Sequence, residues 1–156
     1  MSDVFPSVAW FQRLADGMAA QPERYRKLGS VDMTLVPRIT FPDGHSELFS
    51  LEFEGHRCRA VGRPATPGEI RGRHPVIVEG EFAAWREMVH NIRANGRADL
   101  THTLNYLTLP DWPLRLVAAS DEGQLDVDRF YRYNETLQEF FDGAASVSTR
   151  FAENGG

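Results

Sequence analysis

The sequence predicts an α+β domain built on a five-stranded, mostly antiparallel sheet, and three observations carry that prediction. Apolar residues recur at the helical period in the first 28 residues, switch to a period of two from Val31, and return to the helical period after Gly80. Short turn signals join three consecutive period-two segments, as hairpins require. A breaker-rich stretch, residues 62–75, then separates those three strands from a fourth.

Each element follows from its residues. Ser7 is placed to cap a first helix that presents Val8, Phe11, Leu14, Ala15 and Met18 on one face. Pro22 suits the first turn of a short second helix and Gly29 its end. Val31, Met33, Leu35, Pro37, Ile39 and Phe41 alternate with Asp32, Thr34, Val36, Arg38 and Thr40, so one face of this strand is buried. Pro42-Asp43-Gly44-His45 turns the chain into a strand carrying Glu47, Phe49, Leu51 and Phe53. Glu54-Gly55 turns it again into a strand through Cys58 and Ala60. The result is an antiparallel meander.

After the crossover, Pro75–Gly80 has the continuous apolar character of an interior strand, one expected to land away from the meander's last strand. It feeds a helix with Phe82, Trp85, Met88, Val89 and Ile92 on one face. Asp99 is positioned to cap a helix carrying Leu100, Leu104 and Leu107, which Pro110 ends. Leu114–Ala118 reads as the last strand. Asp126 or Asp128 opens one long aromatic helix with Val127, Phe130, Tyr133, Asn134, Leu137, Phe140 and Phe141 on a broad face, ended by Gly143. Residues 1–150 are expected to form a single domain and 151–156 a disordered tail.

Composition narrows the function classes. At 156 residues the chain can bury a substantial core, and its net charge of −5 argues against a nucleic-acid backbone as partner. A lone Cys58 excludes an internal disulfide and a cysteine-rich metal site. The N-terminus lacks a basic region followed by an apolar core, so a cytoplasmic location is expected. The charge is unevenly spread. Residues 55–74 set Arg57, Arg59, Arg63, Arg71 and Arg73 against Glu69 alone, while residues 120–156 hold eight acids against three arginines. The basic stretch could meet a membrane surface or an acyl-CoA phosphate; the plainer reading is a solvated strand and loop.

Catalytic signatures are few. Neither G-x-G-x-x-G nor G-x-x-x-x-G-K-[ST] occurs, and no serine sits in G-x-S-x-G. The single lysine, Lys27, falls in the second helix, which leaves a Tyr–Lys dehydrogenase pair without its partner. Glu87 and His90 lack the second pair that a di-iron bundle needs, and His56 with Cys58 lacks a third ligand. Asp32 and Glu79 interrupt apolar strands, which makes them candidates for acid–base chemistry in an apolar pocket or, more simply, polar-out residues of alternating strands.

The helices offer more large apolar side chains than one small sheet face needs. An internal apolar cavity would account for the surplus, as would a fully packed core. The opening segments Pro6-Ser7-Val8-Ala9-Trp10-Phe11-Gln12-Arg13-Leu14-Ala15 and Pro22-Glu23-Arg24-Tyr25-Arg26-Lys27-Leu28-Gly29, together with Val76-Ile77-Val78-Glu79-Gly80-Glu81-Phe82-Ala83-Ala84-Trp85, resemble the sterol carrier protein 2 (SCP2-like) family in chain order. That resemblance implies helices covering one face of the sheet and a tunnel between them for a fatty acid, fatty acyl-CoA, sterol or terpenoid. It also implies no catalytic residue, metal or cofactor.

The departures are Asp111-Trp112-Pro113 before the last strand, a long aromatic final helix, and an Asn154-Gly155-Gly156 ending in place of a peroxisomal tripeptide. On this reading the ligand contacts are Trp85, Met88, Val89, Ile92, Leu104, Phe130, Tyr133, Leu137, Phe140 and Phe141, with Trp112 at the mouth. Two alternatives stay open: an isomerase or lyase using a buried carboxylate, and an interaction module that docks through exposed Phe140 and Phe141.

Overall fold

The structure of the chain, a computed structural model, describes residues 2–119 and 123–152. Its elements run β1 (Asp3–Phe5), α1 (Val8–Ala19), α2 (Pro22–Leu28), β2 (Val31–Thr40), β3 (Ser46–Leu48), β4 (Ser50–Gly55), β5 (Arg57–Gly62), β6 (Pro75–Glu81), α3 (Phe82–Asn95), α4 (Leu104–Leu107), β7 (Arg115–Ala118), α5 (Gly123–Arg132), α6 (Asn134–Asp142) and β8 (Thr149–Phe151).

The main sheet has the order β5-β4-β2-β6-β7, with β3 also on β2. Arg38 faces Leu48 and Leu35 faces Leu51, so one antiparallel register runs through both β3 and β4. At their join the Phe49 N–H donates to the Pro37 carbonyl at 3.0 Å. Pro37 has no N–H with which to return a bond. β3 and β4 therefore lie end to end on β2, so the single strand expected from Glu47 to Phe53 is split opposite a proline and the main sheet has six strands where five were expected. β6 lies parallel to β2, next to the meander's first strand.

Alternation then sorts the sheet into two faces. Met33, Leu35 and Ile39 of β2, with Leu51, Phe53, Val76 and Val78 of its neighbours, form one core with the buried faces of α1, α3 and α6. On the opposite face Val36, Leu48 and Ile77 make a small cluster under Ile70 of the crossover. The crossover lies close against this face at Gly72, whose φ is +101°. A Cβ there would stand 2.4 Å from Thr34 Oγ1, so glycine is required both by backbone conformation and by space.

Local chemistry explains the ends of the elements. Ser7 Oγ accepts from the Trp10 N–H at 3.1 Å, which caps α1 as expected. The buried face of α1 holds Trp10 with Phe11, Leu14, Ala15 and Met18, while Val8 is left partly exposed.

Three further expectations are corrected. The long aromatic helix is two helices, because the backbone leaves the helical region at Tyr133 (φ −99°, ψ 12°) and the Asn134 amide donates to the Tyr131 carbonyl at 2.6 Å. The helix expected from Asp99 is a single 3-10 turn followed by α4. The Asp99 carboxylate is taken by Asn91, Thr101 and His102, and Thr103 caps the Tyr106 amide instead. Phe151, assigned to the tail from sequence, ends β8 opposite Phe5 in a parallel pair that sequence periodicity does not reveal. The Ala152 N–H donates to the Phe5 carbonyl at 2.9 Å and the two phenylalanine rings meet edge on, which is what holds this segment. The expected Asn154-Gly155-Gly156 tail lies outside the described residues.

Candidate functional site

Side chains assigned from sequence to an apolar ligand come together, but as packed core. Trp85, Met88, Val89 and Ile92 point inward from α3 at the spacing that puts them on one stripe. Phe130 of α5, Leu137, Phe140 and Phe141 of α6, and Leu104 of α4 meet them in one continuous cluster, every one of them buried. Phe140 stands edge on to Phe53 of the sheet at 5.0 Å, and Phe141 lies 6.2 Å from Trp85. Tyr133 packs half-buried at the margin. Phe140 and Phe141 are 1% and 0% exposed, which overturns the docking-surface alternative.

Trp112 is placed elsewhere. It is 41% exposed, stands edge on to Tyr106 at 4.6 Å, and follows Asp111, whose φ is +70°. It lines a groove of 730 Å³ on the sheet's other face, where β6 runs into α3, so it does not guard the interval between sheet and helices. The turn before β7 carries it there. The floor of this groove is a ladder of charge. Arg38, Glu79 and Arg115 are neighbours across β2, β6 and β7. Arg115 donates to Glu79 Oε1 through Nε at 2.8 Å and through Nη2, while Arg38 Nη1 stands 3.9 Å from Oε2. Thr40, Ser46 and Glu81 continue the same face.

Neither carboxylate proposed for acid–base work lies in an apolar pocket. Asp32 is 41% exposed and pairs with Arg73 at 3.2 Å; Glu79 takes part in the ladder just described. Both occupy the polar face because β2 and β6 alternate. Among the described residues the buried carboxylate is Asp126, with Arg129 Nη1 at 3.4 Å and His74 Nδ1 at 3.8 Å. Sequence reasoning read Asp126 only as a helix start, since one acid in a polar segment carries no mark of burial.

The basic stretch is largely neutralised by its neighbours. Arg59 pairs with Glu54 at 3.1 Å, Arg63 with Glu47 at 2.9 Å and Arg73 with Asp32. Among the described residues Arg57 and Arg71 make no ion pair and remain exposed. Cys58 is buried beside the Ala60 carbonyl, and burial pushes its thiol up to about 12. His90 is exposed, and Glu87 faces His102 at 3.4 Å. Among the described residues no group of three or more His, Cys, Asp or Glu is placed to hold a metal ion. No described helix is long and apolar enough to cross a membrane.

The sequence matches no known family profile and no curated protein. Solved structures do match. A conserved hypothetical protein of Thermus thermophilus, TT1886, given as a possible sterol carrier protein, aligns with a TM-score of 0.60 at 17% identity over 92% of this chain and 90% of that one. A crystal structure of sterol carrier protein 2 aligns with a TM-score of 0.59 at 20% identity over 89% of this chain and 95% of that one. With its strand order, nicked second strand and helical layer on one face, the chain has the fold of sterol carrier protein 2.

Proposed function

We propose that the protein is a non-catalytic cytoplasmic carrier of an apolar ligand (a fatty acid, fatty acyl-CoA, sterol or terpenoid) held between the sheet and its helical layer. The observation that carries this reading is the sterol carrier protein 2 fold, with a helical layer whose inner face is mainly aromatic and aliphatic. Because that interval is filled by side chains, carriage requires them to give way. The break between α5 and α6 at Tyr133 offers a place for the two helices to separate. Within the basic stretch, Arg57 and Arg71, which are exposed and make no ion pair among the described residues, are the groups available to meet an anionic headgroup or an acyl-CoA phosphate.

A ligand that binds only the folded state stabilises it by RT ln(1 + [L]/Kd), about 2.7 kcal/mol at a hundredfold excess over Kd. For a domain of this size that raises Tm by roughly 5–11 °C. The test combines native mass spectrometry of the purified protein with thermal unfolding in the presence of palmitate, palmitoyl-CoA, cholesterol and farnesol. A bound mass or a saturable rise in Tm is expected; neither with any of the four ligands overturns the reading.

A further inference from the structure

Among the described residues three side-chain atoms are buried without a hydrogen-bond partner: Thr34 Oγ1, His56 Nδ1 and Trp85 Nε1. Thr34 faces the crossover at Gly72, and His56 belongs to the turn between β4 and β5. Of the three residues, Trp85 is the one in the core between the sheet and the helical layer. Its indole nitrogen is also the strictest case, because it can donate and never accept. A buried indole N–H ordinarily finds an acceptor, and leaving the bond unmade costs the desolvation of the donor.

The surroundings of Nε1 are apolar. It stands 3.5 Å from where a Cβ on Gly80 would lie, a point that the Leu114 side chain also crowds. The Pro113 carbonyl oxygen, 3.1 Å from the same point, does not reach the indole. The Trp85 ring meets Phe141, and ring contacts continue through Phe140 to Phe53 of the sheet. One donor therefore heads a run of aromatic rings that offers it no acceptor.

This interval is also unsuited to a charged ligand head. No arginine, lysine or histidine is among the buried described residues. An ionised carboxylate or phosphate drawn in beside Trp85 would meet one N–H and no cation, and burying a charge so poorly matched costs far more than one hydrogen bond returns. A neutral oxygen accepts the same bond with a much smaller loss of hydration.

We propose that Trp85 selects the head of the ligand: its indole N–H donates to an uncharged oxygen, that of an alcohol, ketone or ester, on a lipid whose body lies among the rings beside it. This selection rests on the carrier reading and narrows it to neutral lipids, with ionised fatty acids and acyl-CoA disfavoured.

The test separates selection from carriage. Hexadecanol, cholesterol and farnesol, delivered from phosphatidylcholine vesicles, are each compared with the hydrocarbon that lacks only the hydroxyl, and hexadecanol is compared with palmitate and palmitoyl-CoA. Trp85→Phe keeps an aromatic ring and removes the N–H. It is expected to weaken the alcohol that binds by about tenfold and the matching hydrocarbon by less than about threefold, the hydrocarbon reporting the change in ring size. A second readout needs no variant. In the 15N-labelled protein the Trp85 indole proton is expected to move downfield with the alcohol and not with its hydrocarbon. Trp10, whose indole N–H donates to Thr149 Oγ1 at 3.0 Å, is the internal control. Equal weakening of alcohol and hydrocarbon in Trp85→Phe, a Trp85 resonance that the bound alcohol leaves where the hydrocarbon does, or tighter binding of palmitate or palmitoyl-CoA than of hexadecanol overturns the proposal and leaves carriage standing. Failure of all these ligands to bind overturns both.

Discussion

Phe141 is the side chain through which the helical layer is locked to itself. It is fully buried, and its ring lies 6.4 Å from Phe11 of α1, 6.2 Å from Trp85 of α3 and 5.5 Å from Phe140. Truncating a buried phenylalanine costs about 3–5 kcal/mol through lost transfer energy and the cavity left behind. Ring pairs are worth about 0.5–1.5 kcal/mol each beyond area burial, and with three of them Phe141→Ala belongs at the upper end, about 4–5 kcal/mol. At about 2–4 °C per kcal/mol for a chain of this length, Tm falls by roughly 8–20 °C. Phe141→Leu keeps most of the volume without the ring contacts and costs about 1.5 kcal/mol. Urea unfolding followed by circular dichroism measures both variants, with the slope m unchanged if only the native state is affected. A loss below about 1 kcal/mol in Phe141→Ala would refute the closed packing of α1, α3 and α6 around this ring.

Two further predictions concern titratable groups. The hydrogen bond from His102 to Asp99 holds the imidazole pKa above its usual 6.5 and the Asp99 carboxyl down at about 2, instead of 3.8. The network's stabilisation of the turn after α3 is therefore fully present on the imidazole side below pH 6.5 and fades as pH rises through the raised His102 pKa. On the carboxylate side it is present above about pH 3.8 and fades as pH falls toward about 2. A His102 ring titration by NMR should give a midpoint above 6.5, and a midpoint at or below that value contradicts the pairing. Cys58, with its thiol raised to about 12, should resist iodoacetamide at pH 8. Its thiolate population is about a thousandfold below that of an ordinary thiol, and burial slows access further. Labelling within tenfold of the rate in urea would show that the strand opens readily.

Hydrophobic period explains why so much of the fold was legible. The helix stripe at Trp85, Met88, Val89 and Ile92 and the alternation through β2 are properties of consecutive residues, and both are buried as the spacing demands. Short-range chemistry served as well where the partner was near in sequence, as with Ser7 capping α1. It failed where a residue had a competing partner. Asp99 could cap a helix, but Asn91 and His102 hold its carboxylate. Tyr133 sits within an unbroken apolar period, but the Asn134 side chain takes the Tyr131 carbonyl. The pair β1 and β8 escaped notice because three-residue strands are too short to show a period.

The sequence by itself determined which faces are apolar, the order of helices and strands through the main sheet, and that β6 lands away from the last strand of the meander. These are local patterns whose burial follows from periodicity alone. Tertiary structure decided what the apolar faces meet. Trp85, Phe140 and Phe141 could have walled a cavity or filled a core, and only the approach of α1, α3 and α6 over the sheet shows them filling it. It also decided the electrostatics. The arginines of residues 57–73 form a basic block in the sequence, yet Arg59, Arg63 and Arg73 find Glu54, Glu47 and Asp32 on neighbouring strands. The groove of Arg38, Glu79, Arg115 and Trp112 is assembled from strands up to 77 residues apart in the chain, by a register that no local pattern encodes.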